Sequence, residues 1–244
     1  MSYLGSKGQA GVFQLIIGEM PPHSVYVEPF LGSGKIFLTK LPAVRNVGID
    51  ADAGTIKSFQ RILTSYPALR ASEIICGDTL SLLSTLTLPA DAVVYCDPPY
   101  VHSTRTSLAR HRYKFEMTDK QHAQFLTLVA GLNCRVMISG YPSKLYADRL
   151  RDWRCISYQT RTRGRTVTEC LWMNYPEPTE LHNWRFAGKN FRERTALKRL
   201  TTRWLARLDA MPPLKRGYLL HAIHQRHARR GVPAVNAGTV TTHV

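Results

Sequence analysis

Short apolar segments rich in β-forming residues alternate with helical segments along most of this chain. The apolar segments are SVYVEPF, NVGID, SEIICGD, AVVYCD and CRVMISG, and helices are predicted at about 9–19, 34–41, 53–65, 119–131 and 143–151. Strands that alternate with helices at this spacing predict right-handed crossovers and a mostly parallel sheet. Two later strands, RCISYQTR and TVTECLWMNY, flank a basic turn around Gly164 and predict an antiparallel hairpin that closes the sheet. The expected fold is therefore an α/β domain, whose ligands bind at the carboxyl ends of the strands.

The pattern changes after residue 177, where the chain becomes strongly basic. Residues 178–244 hold 13 lysine and arginine residues against three acidic ones, which is +10 of the net charge of +16. Two cationic helices are predicted at 190–208 and 214–229, separated by a Met-Pro-Pro sequence that interrupts a helix. We therefore expect a main domain over 1–177 and a basic helical extension with a frayed C-terminus over 178–244. A basic excess of this size favours a polyanionic partner.

Composition argues against several other classes of protein. No apolar run approaches the roughly 18 residues that cross a bilayer, so no membrane association is predicted. The N-terminal sequence MSYLGSKGQAG lacks the apolar stretch of a signal peptide, which predicts a cytoplasmic protein. The five cysteines are dispersed without a C-x-x-C pair, and His221, His224 and His227 lack enough converging partners. We therefore predict no metal site.

The sequence VEPFLGSGKIF combines a strand, a Glu-Pro pair and two glycines that open a helix. It is not a P-loop, because Ile36 follows Gly34 and Lys35 where Ser or Thr would bind magnesium, and Pro29 replaces the first glycine. Glycines in such a turn let a ligand approach the backbone. About 20 residues further on, a second strand ends in Asp50, at a position whose carboxylate commonly binds ribose hydroxyls. Together these features indicate a cofactor that contains a nucleoside.

The fourth strand ends in VVYCDPPY, a sequence with a specific chemical use. The exocyclic amine of adenine is a poor nucleophile because its lone pair is delocalised into the ring. Asp97 and a carbonyl of the proline segment can accept both hydrogens of the amine, which favours a tetrahedral nitrogen with an available lone pair. Pro98 and Pro99 lack N–H groups and restrict the backbone, and Tyr100 can stack on a base turned out of its duplex. The amine would then attack a methyl group on a sulfonium directly, without a covalent enzyme intermediate.

With these motifs, residues 3 to about 175 resemble the DNA adenine-N6 methyltransferases of the Dam type, particularly compact phage-like members. The matching segments, in family order, are YLGSKG, VEPFLGSG, GIDAD, CGDTL, YCDPPY, VMISGYPSKLY and TECLWMNY. The resemblance implies a Rossmann-like methyltransferase sheet over 1–177 that binds S-adenosylmethionine. It also implies methylation of the N6 amine of adenine in double-stranded DNA.

The resemblance further implies roles for individual residues. The cofactor-binding positions would be Tyr3, Lys7, Glu28, Pro29, Phe30, Gly32, Gly34, Asp50 and Asp78. Within this set, the loop from Glu28 to Gly34 would hold the methionine end of S-adenosylmethionine. Asp50 would bind its ribose, and Asp78 would lie near its adenine. The catalytic pocket would consist of Asp97, Pro98, Pro99 and Tyr100.

One departure from larger Dam-type enzymes concerns target recognition. Those enzymes carry a substantial recognition domain between the GD motif and DPPY, whereas Asp78 and Asp97 are only 19 residues apart here. Recognition could instead come from residues 100–117, from the turn at 160–166, or from the basic extension. The candidate contacts to base edges or phosphates are Arg105, Arg110, Arg112 and Arg163.

Several alternatives stay open at the level of the sequence. The same catalytic motif type can methylate cytosine N4, RNA could replace DNA as the substrate, and a non-catalytic DNA-binding protein could use the same scaffold. The extension could also pack as a helical pair without touching nucleic acid. Its apolar face would then consist of Leu197, Leu200, Trp204, Leu205 and Leu208.

Overall fold

The computed structural model describes residues 7–9, 11–100, 116–162 and 165–228. Within these ranges the strands are Val25–Glu28 (β1), Arg45–Asp50 (β2), Glu73–Cys76 (β3), Val93–Cys96 (β4), Arg135–Gly140 (β5), Arg154–Thr162 (β6) and Arg165–Met173 (β7). The α-helices are Val12–Gly18 (α1), Lys35–Thr39 (α2), Ala53–Leu63 (α3), Thr79–Thr85 (α4), Asp119–Ala130 (α5), Lys144–Arg149 (α6), Phe191–Asp209 (α7) and Pro213–Ala228 (α8).

The strands form one sheet in the order β3-β2-β1-β4-β5-β7-β6. β1 to β5 are mutually parallel, whereas β7 is antiparallel to both β5 and β6. This arrangement confirms the predicted Rossmann-like α/β fold, mostly parallel with a C-terminal antiparallel hairpin. The strand order reverses between β1 and β4, and a doubly wound sheet binds its ligands outside the carboxyl ends of the strands at this switch point.

The central strands are buried on both faces, which explains why their sequences are continuous apolar runs. Consecutive side chains of β4 point to opposite faces. Val94 belongs to the apolar cluster that contains Phe125 of α5, and Tyr95 belongs to the cluster that contains Phe37 of α2. Helices therefore cover the sheet on both sides and leave the carboxyl edge of the strands for a site.

The chain divides into two compact units, and the first ends at Phe191. The segment 178–191, which was predicted to belong to the basic extension, lies in this first unit. There Phe186 is buried and the backbone N–H of His182 donates to the carbonyl of Met20. The structural division therefore falls later than the predicted boundary.

The second unit begins at Arg192 and contains nearly all of α7 together with α8. None of the residues of α7 is buried.

Over the part of the chain that the structure describes, no helix is both long and apolar enough to span a bilayer. Across the same residues, no cluster of three or more His, Cys, Asp and Glu side chains could hold a metal ion.

A buried histidine lies beside cationic groups just before β1. His23 is 7% exposed, and its ring stacks on that of His182 with centroids 3.7 Å apart. Its Nδ1 lies 2.8 Å from the carbonyl oxygen of Pro21. Burial, the neighbouring His182 and the cationic Lys40 together lower the pKa of His23 to about 2. The folded protein therefore holds this imidazole in its neutral form.

We expect His23 to lower the free energy of unfolding as the pH falls below the ordinary histidine pKa of about 6.5, whereas the raised pKa of Glu28 acts in the opposite direction. The pKa of His23 is lower in the folded than in the unfolded state, so below pH 6.5 the unfolded chain binds the extra proton. The contribution of His23 alone should be a loss of about 2 kcal/mol between pH 7.5 and 5. Urea denaturation of the wild type and of His23→Phe at both pH values isolates this contribution, because the substitution keeps an aromatic ring against His182. The stability of His23→Phe relative to the wild type should rise by about 2 kcal/mol from pH 7.5 to pH 5. The exposed His221→Phe on α8 is the control, and an unchanged pH dependence in His23→Phe would contradict the assignment.

Candidate active site

The loop between β1 and α2 is a tight turn fixed by two glycines. Gly32 and Gly34 have φ angles of 50° and 60°, in the left-handed region that disfavours residues with a Cβ. A Cβ on Gly34 would lie 2.1 Å from the ring of Phe59, so this position also lacks space for a side chain. The backbone N–H of Leu31 donates to the carbonyl of Ile49 at 2.9 Å, which ties the loop to β2. The predicted glycine loop is thus a close-packed turn at the switch point.

The carboxylate of Asp50, at the end of β2, holds this loop in place. Its Oδ2 accepts the backbone N–H of Gly32 at 2.8 Å, and its Oδ1 accepts that of Asp52 at 2.9 Å. Burial raises the pKa of Asp50, although the two backbone donors act in the opposite direction. Each carboxylate oxygen has two lone pairs, so Asp50 keeps acceptor capacity for the hydroxyls of a ligand. Its position beside the glycines is the one expected of a ribose-binding carboxylate.

Glu28, which was predicted to bind the cofactor, lies beneath the loop. Its carboxyl group is buried and accepts a hydrogen bond of 2.7 Å from the hydroxyl of Tyr26. Burial raises the pKa of Glu28 to about 8, and the bond from Tyr26 only partly opposes this rise. The structure therefore places Glu28 as an internal support of the turn, and its contact with a cofactor stays a prediction.

The remaining predicted cofactor positions lie around the same edge of the sheet. The carbonyl of Pro29 accepts the hydroxyl of Thr79 at 2.7 Å, which connects the loop to the start of α4. Phe30 packs edge-to-face on Phe125 with centroids 5.4 Å apart. Asp78 is exposed and caps α4 by accepting the N–H of Ser81. The loop, Asp50 and Asp78 therefore follow β1, β2 and β3 on one edge.

Asp97 immediately follows β4, next to the glycine loop at the switch point. The hydroxyl of Ser139, on β5, donates to Asp97 Oδ1 at 2.8 Å. Tyr95 lies 2.9 Å from the same hydroxyl and completes a chain of hydrogen bonds across the two strands. The side chain of Asp97 is 20% exposed, so a ligand can reach it. Asp97 is thus a fixed acceptor at the mouth of the site.

A buried lysine connects Asp97 to a second carboxylate. Lys7 Nζ lies 3.1 Å from Asp97 Oδ1 and 2.8 Å from Glu169 Oε2. It also donates to the hydroxyl of Tyr100 at 3.1 Å, and this hydroxyl donates to Glu169 Oε1 at 2.9 Å. Tyr158 donates its own hydroxyl to Glu169 Oε2 at 2.8 Å. We call these five residues the Lys7 cluster.

The Lys7 cluster contains one cation and two carboxylates in a buried setting. Burial disfavours the ammonium, but the neighbouring acidic groups, Asp97 foremost, raise the pKa of Lys7 well above its usual value. Burial raises the pKa of Asp97, the charge of Lys7 lowers it, and the charge of Glu169 raises it again. Lys7 therefore stays charged, while Asp97 is a stronger base than an ordinary aspartate.

Hydrogen bonds connect the segment that contains Lys7 to the β6–β7 hairpin. Gln9 Oε1 accepts the backbone N–H of Arg161 at 2.9 Å, and Gln9 Nε2 donates to the carbonyl of the same residue. The hydroxyl of Thr160 donates to Gln9 Oε1 at 3.0 Å. These bonds hold residues 7–9 beside β6, so Lys7 reaches the carboxyl end of β4 from outside the parallel part of the sheet.

Sequence reasoning missed two residues of the site. Glu169 lies in the segment TECLWMNY and was given no role, although a glutamate inside an apolar strand is itself a signal, because burial of an unpaired carboxylate is costly. Tyr141 follows β5, and its ring stacks on that of Tyr100 with centroids 4.1 Å apart at 30°. Lys7, predicted in the cofactor motif, contacts Asp97 directly. The structure thus brings Lys7, Asp97 and Tyr100 together and adds Glu169 and Tyr141.

Several predicted positions lie outside the described residues and stay predictions. They are Tyr3, Arg105, Arg110, Arg112 and Arg163. Pro98 and Pro99 follow Asp97 as predicted, and Pro98 is buried.

No protein-family model matches this sequence, and no curated protein is significantly similar to it. Among solved structures, a precorrin 8W decarboxylase from Methanobacterium thermoautotrophicum is 14% identical over 71% of this chain and 94% of its own, with a TM-score of 0.48. A magnesium protoporphyrin IX methyltransferase from Synechocystis with bound SAM is 14% identical over 67% and 75%, with a TM-score of 0.43. A dimethyladenosine transferase from Plasmodium falciparum is 12% identical over 68% and 62%, with a TM-score of 0.44. These likenesses are weak, and the function is therefore inferred from the residues of the site.

We expect Gly34→Ala to destabilise the protein through two separate effects. The left-handed backbone conformation should cost about 1–2 kcal/mol with a Cβ, and the contact with Phe59 should add roughly 1–3 kcal/mol of overpacking. Gly11→Ala is the control, because Gly11 also has a positive φ but nothing lies within 4 Å of its Cβ position. Urea denaturation measures the loss in free energy of unfolding for each variant. Equal losses in Gly34→Ala and Gly11→Ala would mean that the ring of Phe59 moves aside without a cost.

Proposed function

We propose that this protein transfers a methyl group from S-adenosylmethionine to the N6 amine of adenine in DNA. The observation that carries the proposal is the geometry of Asp97. A partly exposed carboxylate, fixed by Ser139 and Lys7, stands at the switch point beside two prolines and the ring of Tyr100. This set supplies a hydrogen-bond acceptor and an aromatic surface, which are what an aromatic amine requires.

The residues on the other side of the switch point fit S-adenosylmethionine. Gly32 and Gly34 open a turn where a ligand can approach the backbone, and Asp50 has acceptor capacity for ribose hydroxyls. The exposed Asp78 stands at the next strand end. When bound, the cofactor supplies an electrophilic methyl group on its sulfonium.

The chain's own residues then act on the amine. The carboxylate of Asp97 accepts one N–H of the amine, and a carbonyl of the Pro98–Pro99 segment accepts the other. These two bonds favour a tetrahedral nitrogen, whose lone pair is free for in-line attack. Tyr100 offers its ring to the base, which has left the duplex stack. Tyr141 covers one face of this ring at 4.1 Å, so a base uses the other face or takes the place of Tyr141.

We expect Asp97→Asn to reduce methyl transfer by about 100-fold or more. Asparagine keeps one acceptor oxygen but removes the negative charge and replaces the other oxygen with an NH2 donor, so the amine hydrogen has a weaker acceptor and the nitrogen loses its proton acceptor. The assay incubates the protein with labelled S-adenosylmethionine and unmethylated double-stranded DNA, followed by digestion to nucleosides. The label should appear in N6-methyladenine with the wild type and with the control Asp148→Asn, an exposed position on α6. Cofactor binding, measured by calorimetry, should persist in both variants.

Other products of this assay would overturn the proposed substrate. Label on cytosine N4 would assign the protein to cytosine methylation, and transfer to RNA alone would assign it to RNA. Bound DNA without any transfer would favour the non-catalytic alternative.

Double-stranded DNA as the partner is also a proposal, and α7 is the surface that supports it. Arg199, Arg203 and Arg207 are exposed at four-residue spacing, which places them along one face of the helix. Such a row of guanidinium groups suits the phosphates of a nucleic-acid backbone.

Replacement of these three arginines by glutamine should weaken DNA binding and reduce its salt dependence. Each lost phosphate contact lowers the slope of log affinity against log salt by about 0.9, so the total change should be about 1–3. A matched control replaces Lys57, Arg61 and Arg70, which are exposed on and after α3 in the first unit. Fluorescence anisotropy at several salt concentrations measures both. An unchanged slope in the α7 variant would favour the alternative in which the extension only packs.

A further inference from the structure

Glu169 is a buried carboxylate that touches none of the predicted catalytic atoms except the hydroxyl of Tyr100. It is 3% exposed on β7, and both of its oxygens are engaged by Lys7, Tyr100 and Tyr158. Taking a carboxylate out of water costs several kcal/mol unless a cation compensates it. The chain bears this cost beside a lysine that already contacts Asp97, so the arrangement calls for a physical explanation.

The explanation lies in the charge that Asp97 experiences. An ammonium 3.1 Å away favours the ionised form of Asp97 and thereby weakens it as a base. Glu169 lies on the same ammonium at 2.8 Å and offsets its positive charge. One lysine shared between two carboxylates therefore holds Asp97 in place while leaving it able to bind a proton.

The reaction requires such a proton acceptor. When the N6 amine takes the methyl group, its nitrogen carries one proton too many and a positive charge. The N–H bond then breaks, its electron pair stays on the nitrogen, and the proton moves to a carboxylate oxygen of Asp97. The products are the neutral methylamino group and a neutral carboxyl, which later releases its proton to water.

We propose that Glu169 is a positioning residue that acts through Lys7 to keep Asp97 a competent proton acceptor for the methylated amine. This inference rests on the proposed function. It assigns the β6–β7 hairpin a part in the chemistry, beyond closing the sheet.

Other titratable groups that face Asp97 from the described residues do not offer a comparable charge. They are Tyr95 and Cys96 on β4, Tyr100, Tyr158 on β6, Tyr146 on α6 and Glu28 on β1. Burial raises the pKa of each tyrosine and of the cysteine, so these groups are neutral near pH 7. Burial also raises the pKa of Glu28 to about 8, so it is mostly neutral. Lys7 and Glu169 are therefore the charges that decide the protonation of Asp97.

The test is the pH dependence of single-turnover methyl transfer between pH 4.5 and 7.5, a range in which Glu28 stays mostly neutral. Glu169→Gln keeps an acceptor oxygen but removes the charge, so Lys7 should depress the basicity of Asp97. The acidic midpoint of the profile should move down by about one pH unit, and the rate at pH 7.5 should fall about 10-fold. Glu169→Asp keeps the charge and should retain the wild-type midpoint. Tyr158→Phe removes one hydrogen bond from Glu169 without changing any charge, and it should also retain the midpoint.

A double variant covers the case in which Glu169→Gln does not fold. Lys7→Met with Glu169→Gln removes the cation and the carboxylate together, so no unpaired charge is left between them. Burial then raises the pKa of Asp97 without an opposing charge from Lys7, so the acidic midpoint should move up instead of down. A midpoint equal to that of the wild type in the variant that folds would overturn the inference.

The outcomes separate this inference from the proposed function. If the wild type makes no N6-methyladenine, the proposed function fails and the inference fails with it. If the wild type is active and Glu169→Gln is slower with an unshifted midpoint, only the inference fails, because Glu169 would then be purely structural.

Discussion

The ammonium of Lys7 between the carboxylates of Asp97 and Glu169 is the interaction on which this site depends. It joins three distant parts of the chain: the N-terminal segment, the end of β4 and the middle of β7. None of the three charges could be buried alone, since each desolvation cost is offset only by its partners. The position of Asp97 is therefore determined by residues outside its own motif as well as by the prolines that follow it.

A second constraint acts on the opposite side of the switch point. Asp50 accepts the N–H of Gly32, and Leu31 donates to the carbonyl of Ile49, so β2 fixes the loop that follows β1. These bonds within the protein restrict the turn, and a restricted turn lowers the entropic cost of binding a cofactor. The two halves of the site are thus each rigid for a local reason and meet where the strand order reverses.

The sheet and the positions of its motifs could be predicted because they follow from local patterns. Alternating strands and helices predict the fold, and carboxylates at strand ends predict the edge where Asp50 and Asp97 lie. The burial of Glu28 was also accessible, because Tyr26 and Glu28 share one face of β1 through the two-residue period of a strand. The contact between Glu169 and Lys7 was not accessible in this way, since the two residues are 162 positions apart.

The boundary between the two units also depends on contacts that local sequence patterns do not predict. Composition changes near residue 177, but the segment that follows packs on the first unit through Phe186 and the backbone of His182. Tertiary contacts determine where a unit ends, and the distribution of charged residues along the sequence does not predict those contacts. Similarly, the stacking of Tyr141 on Tyr100 depends on how two loops meet at the sheet edge, which no local pattern contains.

The span of the Lys7 cluster has a consequence for the time at which the site forms. Lys7 precedes Glu169 by 162 residues, so it leaves the ribosome well before its partner does. A nascent chain that ends before β7 contains Lys7 and Asp97, but it lacks Glu169 and the complete hairpin to which Gln9 is hydrogen-bonded. Contacts of such high sequence separation form late. The growing chain can therefore complete its parallel core well before β6 and β7 add the residues that complete the Lys7 cluster.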